Sequence, residues 1–276
     1  MADALKRKAP VYDGEAPAKK AKARKQWRTP HQRDSGTAIE PGDAGIWASC
    51  NMGREGKCVA ELKDCFEEYA RALYGDQEGD SAAEKREGAE VDDIEAEIRR
   101  EVEDIRKPTT APLFSNIRLD GDCIMFFKTR PPLEPVSFVR KICEDAASSS
   151  GRKQSRFVKR LTPMTLMGKA TWESMDEVAQ QVLAPHFHQP NGLPKKFAIR
   201  PNIRNHKILT REGIIKRVAA AVGPGHKVDL KEFDLLILVD VYKNVCGMSV
   251  VGNDYEKLKR YNLSEIYEPT PKAATN

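Results

Sequence analysis

The sequence predicts an α+β fold in two units behind a basic N-terminal tail. Three observations predict it. Residues 44–164 give a strand, a helix, two strands, a helix and a strand, in that order. Phe233–Val241, FDLLILVDV, is an almost continuous apolar run, which a central strand covered on both faces requires. Residues 1–42 hold ten Lys/Arg against five Asp/Glu with no hydrophobic period, so they lack the apolar surface to fold. The first pattern is the element order of a ferredoxin-like unit.

Residues 1–43 are expected to be a disordered tail. Lys6-Arg7-Lys8 and Lys19-Lys20-Ala21-Lys22, eleven residues apart, fit a bipartite nuclear localisation signal or a basic RNA-binding arm. The ferredoxin-like domain is assigned to 44–147. It opens with GIWASCNM, Gly45–Met52, as an alternating strand. In KCVAELKDCFEEYARALYG, Val59, Leu62, Phe66, Tyr69, Ala70 and Leu73 recur at helical spacing and Gly75 can end the helix. The turn between them, NMGREGKC, is not a phosphate loop, because Asn51 stands where Gly is needed and Cys58 where Ser or Thr is needed. Arg54 and Lys57 can still meet an anion at the helix N-terminus.

Residues 76–107 carry thirteen acids against six bases. Val91, Ile94, Ile98, Val102 and Ile105 give this insertion one amphipathic helix, a solvated face or a docking face for a protein. IRLDGDCIMFFKTR reads as a hairpin turning at Asp120-Gly121. A helix from Val136 to Ala147, a polar joint at Ser148–Ser155 and the strand SRFVKRLTPM follow.

The second unit is assigned to 148–254. Thr171 or Ser174 can cap a helix running to Leu183, with Ser174 and Glu177 as a capping box. Phe197–Arg200 alternates like a half-buried strand, and Pro201 is expected to stop its ladder pairing. Thr210 caps the next helix, whose stripe is Ile214, Ile215, Val218, Ala219 and Val222, and Gly223-Pro224-Gly225 ends it. VCGMSVV returns after a turn at Tyr242-Lys243-Asn244, and 255–276 reads as a short helix with a frayed tail.

Residues 151–217 hold fourteen bases against four acids, a field that calls for a polyanionic partner. Six cysteines contain no CxxC pair, and His186 with His188 reads as a loop pair, so neither a metal nor a cofactor is expected. No apolar run is long enough to span a bilayer, and no membrane partner is expected. Deaminase, GxSxG and glycine-rich dinucleotide motifs are all absent, so the chain reads as a binding module, not an enzyme.

The densest functional signal is FAIRPNIRNHK. Arg200, Asn202 and Arg204 fall on one side of the strand, with His206 and Lys207 beyond. Guanidinium forks grip phosphates, amides read base edges or 2′-hydroxyls, and His stacks on bases. Arg156, Lys159, Arg160 and Lys169 are expected on a neighbouring strand, with Lys243 and Asn244 in the last turn. Such a sheet edge suits RNA rather than duplex DNA, since no helix carries a base-reading row. Asp240, inside the apolar run, is expected to pair with a buried donor.

RLTPMTLMGKATWESMDEVAQQVLAPHF, KKFAIRPNIRNHKILTREGIIKRVAAAVG and HKVDLKEFDLLILVDVYKNVCGMSVVG resemble, in order, the segments of a THUMP domain. With GIWASCNMGREGKCVAEL they are similar to the family that assists tRNA cytidine acetylation in eukaryotes. The resemblance covers about residues 44–267 and leaves the acidic insertion unmatched. It implies a ferredoxin-like domain followed by a THUMP domain that engages the tRNA acceptor end. It also implies an adaptor that presents serine and leucine tRNAs to a separate RNA cytidine acetyltransferase, which makes N4-acetylcytidine in the D-arm. By matching position the RNA contacts are Arg160, Lys169, Arg200, Asn202, Arg204 and Lys207, with Arg54, Lys57 and Lys243 as weaker ones. A nuclear, even nucleolar, site of action is expected from the basic clusters of the tail. An RNA-modifying enzyme with a cryptic site and an rRNA-binding ribosome-assembly factor are the rival readings.

Overall fold

The computed structural model describes residues 38–75, 112–119, 121, 123–148, 155–190 and 192–269. The basic clusters near the N-terminus and the acidic insertion 76–107 lie outside the described residues.

The first unit comprises β1 (Ala44–Cys50), α1 (Glu55–Tyr74), β2 (Phe114–Ile117), β3 (Ile124–Thr129), α2 (Pro135–Ser148) and β4 (Val158–Met164). Its strands are antiparallel in the order β2-β3-β1-β4, which is the ferredoxin-like arrangement. β1 is buried on both faces because it is central and the two faces have different covers. Ile46 and Phe127 are paired and belong to the face under the helices, where Phe66 of α1 meets Phe127 and Phe138 edge-on at 5.2 and 5.4 Å. Contacts of this kind add about 0.5–1.5 kcal/mol each beyond area burial. Trp47 and Phe126 share the other face, and the Trp47 ring packs 5.5 Å from that of Tyr242 in the second sheet. Leu73 departs from the buried stripe that its spacing predicts and is 43% exposed, because it falls in the last turn of α1.

The second sheet is formed by β5 (Leu166–Lys169), β6 (Lys196–Arg204), β7 (Lys227–Val228), β8 (Leu235–Tyr242) and β9 (Val245–Gly252), in the order β5-β9-β8-β6-β7. β6 runs parallel to β8, and β9 runs antiparallel to both β8 and β5. Helices α3 (Trp172–Phe187) and α4 (Arg211–Val222) cover one face through Met175, Val178, Ile214 and Val218. Leu236, Leu238, Tyr242 and Val251 on the opposite face join the core of the first unit. The two sheets approach closely at Gly247, where an added β-carbon would sit 2.8 Å from the Met164 sulfur.

β4 pairs with β1, so the strand between 158 and 164 completes the first sheet, and β5 begins the second. Pro201 does not interrupt β6. The ladder to β8 continues to Arg204, because the Pro201 carbonyl points outward and accepts from Arg211 Nη1 at 3.0 Å. The missing N–H faces that same outer side, where no ladder bond is lost. Thr171 alone caps α3, accepting from Ser174 N, while the Ser174 hydroxyl accepts from Lys169 N at 3.1 Å instead of forming a capping box. The C-terminal segment is more than a tail up to residue 269. α5 (Asp254–Lys257), a 3₁₀ turn (Lys259–Tyr261) and α6 (Leu263–Tyr267) bury Tyr255, Leu258, Tyr261 and Leu263. Tyr261 is fully buried, edge-on to Tyr255 at 4.9 Å. Among the described residues no helix is long and apolar enough to cross a membrane.

Candidate nucleic-acid interface

Sheet register places the cations. Arg204 lies opposite Tyr242, Tyr242 opposite Val245, and Val245 opposite Lys169, so Arg204 and Lys169 share a face and a row. Three strand spacings of about 4.8 Å put their backbones roughly 14 Å apart. Both side chains are exposed. The β8–β9 turn projects between them, with Lys243 in the left-handed region at φ 50°. Its N–H donates to the Arg204 carbonyl at 3.1 Å, and its ammonium lies 5.5 Å from the Tyr242 ring. Beyond β6 the chain reverses at Asn205, φ 52°, a residue type that tolerates this conformation. The reversal lets His206 Nδ1 donate to the Lys243 carbonyl at 2.6 Å and leaves Lys207 exposed.

Two residue pairs inward, on the same face, Asn202 lies opposite Asp240, and its amide donates to the Asp240 carboxylate. Burial pushes the Asp240 carboxyl up, while Arg204, the Asn202 hydrogen bond and Arg160 pull it back. Arg160 comes from β4, where it pairs with Ser49 and bridges Asn262. Two pairs further, Arg200 Nη2 donates to Glu256 Oε1 at 2.7 Å, with its guanidinium 5.5 Å from the Tyr255 ring. Arg260 Nε holds the other Glu256 oxygen at 2.9 Å. Burial pushes the Glu256 carboxyl up, but hydrogen bonds from Arg260 and Arg200 outweigh it and leave it below the usual range.

The expected contacts therefore divide. Lys169, Arg204 and Lys207 are exposed at one end of the second sheet, where Lys243 occupies the turn, and Arg160 is exposed alongside from the first sheet. Arg200 and Asn202 turn inward to carboxylates of the chain itself. Arg54 and Lys57 begin α1, with Lys57 5.8 Å from the Phe157 ring. They lie on the same side of the molecule, because Cys50 N donates to Cys123 O and Gly121 of the same hairpin abuts the Tyr242 hydroxyl. Sequence reasoning missed Tyr255, Glu256 and Arg260. The Glu256/Arg260 spacing of four is a helical signal inside a segment that reads as a tail. Among the described residues no group of three His, Cys, Asp or Glu is placed to hold a metal.

Comparison with known proteins places this site in a recognised domain. The THUMP domain profile matches residues 169–251, from Lys169 at the row's edge through β9. The chain is similar to "tRNA acetyltransferase TAN1" of Saccharomyces cerevisiae, 36% identical over 83% of this chain and 86% of the relative. It is also similar to "THUMP domain-containing protein 1" of Bos taurus, 33% identical over 92% of this chain and 70% of the relative. The solution structure of the THUMP domain of THUMP domain-containing protein 1 is 33% identical over 33% of this chain and 93% of that domain, with a TM-score of 0.28.

Proposed function

The chain belongs to the THUMP-domain family of these relatives, and on that premise we propose that it is a tRNA-binding adaptor for cytidine acetylation. It binds tRNA through the exposed cationic end of the second sheet. It presents the tRNA to a separate RNA cytidine acetyltransferase, with serine and leucine tRNAs as the substrates and N4-acetylcytidine in the D-arm as the product. The observation that supports this most is the row from Lys169 to Arg204, with Lys207 beyond it, inside the matched domain, and Arg160 beside it from the first sheet. Phosphates can reach exposed guanidinium and ammonium groups there without unfolding a core.

This cationic end of the sheet is built for holding rather than for proton transfer. Its buried carboxylate, Asp240, already accepts the Asn202 amide, and Glu256 is taken by two arginines. The acetyl-transfer chemistry is assigned to the partner. The yeast relative is itself described as an acetyltransferase, so the decisive assay uses the pure chain. Incubated alone with acetyl-CoA, ATP and tRNA it yields no acetylcytidine, and addition of an RNA cytidine acetyltransferase yields product. Acetylation by the chain alone would replace the adaptor reading with a catalytic one. Crosslinking in cells dominated by rRNA would favour ribosome assembly. The basic clusters at 6–8 and 19–22 support a nuclear site of action.

A further inference from the structure

A groove of about 700 Å³ runs between α1 and β2, room for several side chains rather than for one water or ion. Its floor is apolar, with Val59 and Ala70 from α1 and Leu113 and Phe114 from the β2 side. Among the described residues its charged lining is Lys63, Arg71 and Arg118 against Glu67, so it is basic. β2 is the outer strand of its sheet, and among the described residues one side of its backbone has no partner strand. The Asn116 side-chain oxygen lines the same groove and is buried, with no hydrogen-bond partner among the described residues. A polar atom in that position calls for a neighbour that supplies a donor.

The chain itself points to the occupant. Gly75, where it leaves α1, and Pro112, where it returns towards β2, both line the groove. Residues 76–107 fall between them and carry thirteen acids against six bases. The stripe of Val91, Ile94, Ile98, Val102 and Ile105 ends seven residues before Pro112. That separation spans at most about 25 Å, less than the roughly 30 Å length of α1. Glu90, Glu97 and Glu101 recur at steps of seven and four, which borders one side of the stripe with carboxylates.

We infer that residues 90–105 dock in this groove of their own chain as an amphipathic helix. The stripe meets the apolar floor, and the acidic border meets Lys63, Arg71 and Arg118. Apolar burial supplies the attraction, and opposite charge sets which way the helix lies. Attachment at both ends makes the encounter intramolecular and raises its effective concentration above that of a separate partner. Docking covers the outer side of β2 and neutralises a cationic surface away from the proposed tRNA site. It does not depend on the RNA-binding reading.

The test is hydroxyl-radical footprinting of the full chain, wild type against Ile94→Asp/Ile98→Asp. Oxidation of Leu113 and Phe114 is expected to rise several-fold in the variant, while Met52 and Leu193, exposed elsewhere, stay unchanged. Equal labelling of Leu113 and Phe114 in the two proteins overturns the inference. So does protection of these residues in wild type only when a tRNA transcript is added, which would give the groove to RNA. Should the variant not fold, a benzophenone amino acid placed at Ile98 supplies the readout in dilute, otherwise wild-type protein. It is expected to crosslink within the same chain to residues 59–71 or 113–118. Crosslinks between two chains, or to other parts of the same chain, overturn the inference.

Discussion

Two arginines four positions apart on β6 do different work. Arg200 is a third exposed and held by Glu256, whereas Arg204 is exposed at the strand end. Arg200→Ala is expected to cost about 0.5–1 kcal/mol of stability, as a partly solvated ion pair does, with little change in tRNA affinity. Arg204→Ala leaves the melting temperature unchanged and lowers the slope of log affinity against log salt by roughly 0.7–0.9 for each phosphate that the side chain no longer neutralises. Parallel thermal melts and salt titrations of the two variants check this, and identical behaviour of the pair would contradict it. Asp240 and Glu256 also titrate in opposite senses. The Asp240 pKa is raised in the folded chain, so its contribution favours the fold at low pH and is lost as pH rises through that raised value. The Glu256 pKa is depressed, so its contribution is present above the ordinary glutamate range and is lost as pH falls through the folded value. Melting temperatures from pH 4 to 8 should therefore fall less steeply with rising pH in Asp240→Asn than in wild type. An unchanged slope would show that the carboxyl titrates normally.

Elements were legible where the signal is local. The α4 stripe, its Thr210 cap and its Gly223 stop all follow from neighbours within four residues. The Thr210 hydroxyl accepts from Gly213 N at 3.2 Å, and Thr210→Ala is expected to cost about 1 kcal/mol in urea unfolding. Pro201 misleads because proline forbids a donor, and only the tertiary position of β6 shows that no donor is needed there. The C-terminal turns mislead for a related reason. Tyr255, Leu258, Tyr261 and Leu263 show neither a long helical period nor an alternation, and they become core by filling the space beside β4 and α2. Glu61 is equally silent in the sequence. From α1 it accepts from Ser155 Oγ at 2.5 Å and Arg156 N at 2.9 Å, fastening the start of β4. Glu61→Ala leaves these donors unpaired and should destabilise by about 1–3 kcal/mol, measured by the same urea titration.

At the scale of the molecule, the sequence order of strands revealed both sheets, but not how they meet. That the Trp47–Tyr242 packing and the arginines around Asp240 join β1, β4, β6 and β8 is long-range information, absent from any window of the chain. The candidate site was legible in the same proportion. The run at 200–207 pointed to the end of β6 where Arg204 and Lys207 are exposed, while the inward turn of Arg200 and Asn202 depended on carboxylates far away in sequence. If the basic clusters at 6–8 and 19–22 drive import, removing residues 1–25 from a fluorescent fusion should redistribute it from nucleus to cytoplasm, and retention in the nucleus would contradict that role. The central claim is the location of the RNA, and photo-crosslinking of a tRNA transcript to the wild-type chain, with peptide mapping, measures it directly. Crosslinks are predicted at Arg160, Lys169, Arg204–Lys207 and Lys243. Crosslinks confined instead to the groove of Lys63, Arg71 and Arg118 between α1 and β2 would contradict the account.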